Sequence, residues 1–347
     1  MTHDTYQLAS VVQRNCDISD ARHAGDYGLC TFLLKMREYY RWENELSFAH
    51  TLPKDDLGEW LKAREQEWDR VEEEAFAPLP LGGGELDPFD AAAANAELLA
   101  RGCIYGAGYG RMHKPVFFLG SLLRVEQREG LTVYVSSCEY ARELAAPPAM
   151  LQGRSIYVRQ ESVRRYLWEK IEEWQWRKAG HAMQRVLADY DFLADPESAL
   201  RRMADNEMET MILHELGEAR AGELLGEAWG DMALQVSRTR GEVVARAVRD
   251  LLADCLVTLP TLIARGNQPA LHFYFATFDA PRRQLFPQAL EAYEDYLRNG
   301  TLERLRRVVD EGRERWLETA RGLAALRLLE LEAALAALLP APDPRAS

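Results

Sequence analysis

Between residues 103 and 159 the periodicity changes to that of strands, while before and after that block the apolar residues recur at helical spacing. Residues 104–105, 116–126 and 131–136 read as strands, with Gln127-Arg-Glu-Gly130 as a hairpin turn. A further strand, 155–158, follows the Pro147-Pro148 loop, so the block predicts a small antiparallel sheet of about four strands. The fold class is therefore mainly α (α+β): a helical body with a small inserted antiparallel β-sheet. The block divides the chain into an N-terminal helical region (1–77), a linker with a short helix (78–102), the β subdomain (103–159), a C-terminal helical domain (160–339) and a tail (340–347).

In the first region, helical periodicity covers residues 5–15, then 21–43 with Ser19 or Asp20 as its cap, then 55–74. The core side of the second helix is read as Leu29, Phe32, Leu33, Met36 and Tyr40. Pro78-Leu-Pro-Leu-Gly-Gly-Gly84 is the clearest linker signal. Beyond the sheet, helices are expected over 160–178, 180–193, 197–203, 206–229, 240–264, 269–278, 284–298 and 302–338. The last is rich in Leu and Ala and offers a face for the body or for a second copy of the chain, a homodimer through the C-terminal helix.

A formal charge of −13 argues against a nucleic-acid surface, which needs basic patches to neutralise phosphate. No uncharged apolar run is long enough for a membrane span, and no signal peptide opens the chain. Five scattered cysteines without a C-x-x-C pair fit a reducing cytoplasm.

The chemistry concentrates in the 206–229 helix. At about 100° per residue, Glu207, Met211, His214, Glu218, Ala221 and Leu225 share one stripe, with Glu215 at its border. Buried carboxylates and imidazoles are costly unless paired or bound to metal, and His214 and Glu218, one turn apart, converge readily. Glu207 reads differently: Asn206 and Glu209 fit a capping box, which leaves Glu207 in an acid-favouring first turn. Gly217 and Gly222 invite the close approach of another helix. In the 240–264 helix Asp254 faces inward and Asp250 sits at the margin, read as surface, with Arg246 and Arg249 pointing away. His23 or His272 would complete a ligand set.

These residues point to a divalent metal ion (iron, manganese or zinc) held by His214, Glu218, Asp254 and either His23 or His272, with Glu215 as catalytic base and a small molecule as substrate. A metal-dependent enzyme of non-haem-iron type is the leading expectation. The rivals are a helical interaction protein with a buried ion-pair network, and a zinc hydrolase built on His214-Glu215-x-x-Glu218, which lacks the second histidine of H-E-x-x-H. Gly106-Ala-Gly-Tyr-Gly110 opens no helix and is read as a strand-connecting loop rather than a dinucleotide fingerprint.

Asn15-Cys-Asp-Ile-Ser-Asp-Ala-Arg-His-Ala-Gly-Asp-Tyr-Gly-Leu-Cys30, Lys35-Met-Arg-Glu-Tyr-Tyr-Arg-Trp-Glu43, Pro147-Pro-Ala-Met-Leu-Gln-Gly153 and residues 214–225 resemble an uncharacterised family of bacterial cytoplasmic proteins over most of the chain. The resemblance implies a cytoplasmic bacterial protein and brings no reaction with it.

Overall fold

The computed structural model describes residues 3–177 and 180–339. The proposed tail, 340–347, and the expected end of the 160–178 helix lie outside the described residues. The chain is mainly helical with one five-stranded sheet and one small hairpin. It divides into two compact units: one takes the chain up to Glu169 together with Ala194–Asp205, the other Lys170–Leu193 together with the chain from Asn206 onward.

The first unit opens with α1 (His3–His23), α2 (Leu29–Glu43) and α3 (Lys54–Val71). The expected break near residue 16 does not occur. Ser19 and Asp20 look like caps in the sequence, but they and Asn15 sit inside α1 and spend their polar atoms elsewhere. Asn15 exchanges two hydrogen bonds with the Ala77 backbone, Ser19 donates to the Pro115 carbonyl, and Asp20 takes both Lys114 and the Leu144 amide. They tie α1 to later chain rather than ending it. In α2 the buried positions are Met36, Glu38, Tyr39 and Arg41, while Leu29 and Leu33 are exposed, so the inward face is rotated towards Tyr39.

The linker signal is a hairpin. β1 (Leu79–Leu81) pairs antiparallel with β2 (Gly84–Leu86), and the two-residue turn is Gly82-Gly83, both at positive φ (66° and 70°). Leu79 and Leu81 are buried, and α4 (Ala91–Leu98) follows.

The sheet holds β3 (Cys103–Tyr109), β4 (Pro115–Arg128), β5 (Leu131–Arg142), β6 (Ala149–Gln152) and β7 (Ser155–Arg159), in the order β3-β4-β5-β7-β6. Its pairs are antiparallel except β5 with β7, which run parallel because the β6–β7 hairpin folds back alongside β5. The Gly106–Tyr109 stretch belongs to β3 instead of a loop: Gly106 faces Phe118 across the ladder, where a Cβ would meet the ring at 2.2 Å. Leu8, Val12 and Cys16 of α1 bury against Leu79, Leu98, Tyr105, Phe117 and Leu119, which fixes α1 on the sheet. Behind it Arg159 bonds Glu139 (2.6 Å) and Glu143 (2.9 Å), all three side chains out of contact with water.

The helix α5 (Gln160–Arg177) follows β7. Then come α6 (Ala182–Asp189), α7 (Pro196–Leu225), α8 (Glu227–Gln235), α9 (Arg240–Ala253), α10 (Leu259–Arg265), α11 (Gln268–Ala276), α12 (Ala280–Leu285), α13 (Pro287–Asn299), α14 (Glu303–Ala324) and α15 (Leu328–Leu338). The expected 197–203 and 206–229 helices merge into α7, so Asn206 is not a cap. It bonds Tyr190 and Asn267 instead, and Glu207 is buried in mid-helix rather than in a first turn. Between α9 and α10 runs one π-helical turn, Asp254–Thr258. Pro260, just past it, has no N–H and would crowd the carbonyl four residues back in a regular α-helix, and a wider turn relieves that. The expected 302–338 helix breaks into α14 and α15. Among the described residues no helix is long and apolar enough to cross a membrane.

Candidate functional site

In the second unit α7 crosses the end of α9 at Gly217. A Cβ there would stand 2.5 Å from the Ala253 carbonyl oxygen, so only glycine permits the approach. Gly222 has nothing within 4 Å of an added Cβ, and no helix crosses there, contrary to the sequence reading.

The crossing brings His214 onto Asp254. Its Nδ1 lies 2.8 Å from Asp254 Oδ1, and its Nε2 lies 3.5 Å from Glu218 Oε1. Asp254 Oδ2 accepts from Tyr274 (2.8 Å) and Arg282 Nη1 (3.1 Å), which fixes that carboxylate from the far side. Arg249 Nη2 donates to Glu218 Oε1 and approaches Asp250 Oδ1 at 3.4 Å.

His214, Glu218 and Asp250 each offer one donor atom, and these atoms lie within 4.8 Å of one another. Asp250 is therefore no surface residue, and Arg249 does not point away. With α7 pressed close at Gly217, its stripe meets the margin of α9 rather than the centre of its inward face. Asp254 takes the protein side of the imidazole, and Asp250 takes the place beside Glu218 that the sequence reading gave to Asp254.

The remaining candidates lie elsewhere. His23 belongs to the first unit, where Nδ1 pairs with Asp26 at 2.8 Å. His272 is buried with Nδ1 2.8 Å from the Tyr293 hydroxyl and its ring stacked on Tyr296. Both are satisfied by tyrosine or carboxylate neighbours, and neither joins the converging group. Glu215, at 9 % exposure, also stands outside it.

The charges are strongly coupled. Burial opposes the charge on His214, but the Asp254 and Glu218 carboxylates outweigh it and hold the imidazolium well above its ordinary range. Burial likewise opposes the Asp254 and Glu218 charges; His214 with Arg282, and Arg249 with His214, overcome it and hold both acids low. Asp250 is pushed up by burial and by Glu218. Three carboxylates (Glu218, Asp250, Asp254) thus meet two guanidiniums (Arg249, Arg282), leaving one negative charge that a proton on His214 would balance.

Sequence reasoning missed Arg282 and Tyr274. Arg282 follows Asp279 in a cap, where the Arg282 amide bonds Asp279 and its side chain reads as solvated. Only the fold brings it back to α9.

Residues 7–159 match the Family of unknown function (DUF6866) N-terminal domain, and residues 164–338 match the Family of unknown function (DUF6866) C-terminal domain. The chain belongs to this family. The His214–Glu218–Asp250 cluster lies within the C-terminal domain, and the five-stranded sheet within the N-terminal one. No curated protein and no solved structure matches the chain.

Proposed function

We propose that the second unit holds one divalent cation on His214, Glu218 and Asp250, and that the protein is a metal-dependent enzyme acting on a small molecule. The observation that carries this reading is the convergence of three donor atoms within 4.8 Å while Asp254 clamps the opposite ring nitrogen of His214. A carboxylate on the second imidazole nitrogen fixes the tautomer and raises ligand basicity, as it does around metal-ligating histidines generally. The donor chemistry fits, since one imidazole and two carboxylates suit iron, manganese or zinc. Such an ion, with coordination positions left open, supplies Lewis acidity or activates water. Arg249 would remain bonded to the carboxylates from outside, and Glu215 is the nearby residue we assign to proton transfer.

A second reading rests on Arg249 itself. With its guanidinium already on Glu218 and Asp250, and with His214 protonated, the cluster closes as a buried ion-pair network that needs no ion.

The two separate on metal content. The full chain is dialysed against manganese, ferrous iron or zinc in turn, freed of excess, and analysed for bound metal. The metal reading expects about one ion per chain, lost in His214→Ala and Asp250→Asn with helical circular dichroism retained. Binding of none of the three ions, or full stoichiometry in both variants, would overturn it in favour of the network.

A further inference from the structure

The first unit contains a cavity of about 1130 Å³, walled by α1, α2, β5 and α5, with Glu197 at one side. That is ample for a small organic ligand. At its wall stands Arg142, the last residue of β5, which is 1 % exposed.

The backbone of Arg142 is held on both sides. Its N–H donates to Gln13 Oε1 (3.1 Å), and its carbonyl accepts from Gln13 Nε2 (3.2 Å). Its guanidinium lies over Trp42 (4.9 Å) and Tyr39 (5.4 Å), so the plane is fixed as well. Yet neither Nε nor Nη2 has a hydrogen-bond partner among the described residues. These two N–H groups form one edge of the guanidinium, the edge that takes a carboxylate or phosphate with two parallel bonds.

The nearby acids are already committed. Glu139 gives one oxygen to Arg159 and the other to Ser162, and Glu161 accepts the Glu139 amide. Glu38 pairs with Arg37 and Arg41. A buried guanidinium edge with no acceptor is rare in folded proteins, and this one belongs to a residue that lines a cavity. Three more unpartnered polar atoms belong to lining residues: Arg164 Nε, Arg165 Nε and Glu197 Oε1.

We propose that this cavity binds a small zwitterion of the amino-acid type, its carboxylate docked side-on against Nε and Nη2 of Arg142. The charge of the walls selects the class. Five arginines and seven carboxylates line the cavity, so a multiply charged phosphate would meet a net excess of negative charge. A ligand with one carboxylate and one ammonium satisfies the guanidinium and offers its amine to Glu197, whose Oε1 has no partner among the described residues. The inference stands apart from the metal reading and involves none of its residues.

Equilibrium dialysis of the full chain against a radiolabelled mixture of the common L-amino acids tests it, with labelled inorganic phosphate as a separate arm. At least one amino acid is expected to be retained at about one per chain. Arg142→Lys, which keeps the charge and removes the fork, should weaken retention by about tenfold or more. Because Arg142 is buried, Trp42→Leu serves as a second variant: it frees the guanidinium plane without removing the charge and should also weaken binding. Circular dichroism checks both folds. No retained amino acid, retention of phosphate alone, or undiminished retention in the folded variants would overturn the assignment.

Discussion

Gly217 and Gly222 lie five residues apart on α7, and alanine should have opposite effects at the two. In an open helical position Gly→Ala gains about 1 kcal/mol. Gly222 is such a position, exposed and with no atom within 4 Å of an added Cβ. At Gly217 the new Cβ would stand 2.5 Å from the Ala253 oxygen and 2.9 Å from its carbonyl carbon. Those are backbone atoms that cannot rotate away, so α7 and α9 must separate by roughly 1 Å, the shortfall from an ordinary van der Waals contact. Overpacking of that kind costs about 1–3 kcal/mol, and the upper end applies to a rigid neighbour. Set against the propensity gain, Gly217→Ala should destabilise by about 2 kcal/mol and lower the melting temperature by about 4–8 °C, whereas Gly222→Ala should raise it by about 2–4 °C. The separation would also stretch the 2.8 Å bond between His214 and Asp254. Thermal circular dichroism of the two variants reads both signs. If Gly217→Ala melted at or above the parent, the crossing that assembles the site would not be as described.

Burial pushes Glu207 up to about 7, against the pull of Thr210 and Asn206. Its folded value lies above its unfolded one, so stability is full below about pH 4.5 and falls by about 3 kcal/mol as pH climbs through 7; urea titrations at pH 5 and 8 should show this loss, reduced in Glu207→Gln. Arg159→Met strands Glu139 and Glu143 in the interior and should cost about 3–5 kcal/mol, read as a lower urea midpoint; a change within about 0.5 kcal/mol would mean the pair is not buried as found. Of the five cysteines, Cys30 and Cys138 are exposed and Cys16, Cys103 and Cys255 buried, so a thiol reagent should label two quickly in the native state and the other three only on unfolding.

The fold class was legible because its signals are local: short runs of β-branched and aromatic residues between turn residues mark β4, β5 and β7, and helical spacing marks most of the rest. The misread helix caps share one cause. Ser19, Asp20 and Asn206 carry side chains that cap helices, but here they bond chain that is distant in sequence, and nothing local distinguishes the two uses. Gly82-Gly83 reads equally as linker or hairpin until Leu79 and Leu81 are seen to be buried. For the candidate site, the pairing of His214 with Glu218 followed from helix geometry alone. The exchange of roles between Asp250 and Asp254 did not, because it depends on where α7 crosses α9. Arg142 gave no signal at all, since a strand-end arginine is ordinarily wet and the rings it packs under, Trp42 and Tyr39, lie about a hundred residues earlier in the chain.

The segment from Lys170 to Leu193 belongs to the second unit, while Ala194–Asp205 returns to the first. This interleaving bears on synthesis. When Glu169 has been made, the first unit still lacks its closing piece, which arrives only after Asp205, 36 residues further on. At about 5–20 residues per second the nascent unit waits roughly 2–7 s for a piece whose Ala199 and Leu200 end up buried. A fragment ended between the two family domains, at residue 163, would wait indefinitely. Such a fragment is the natural client of a holdase, and its expression should track chaperone supply where that of the full chain does not.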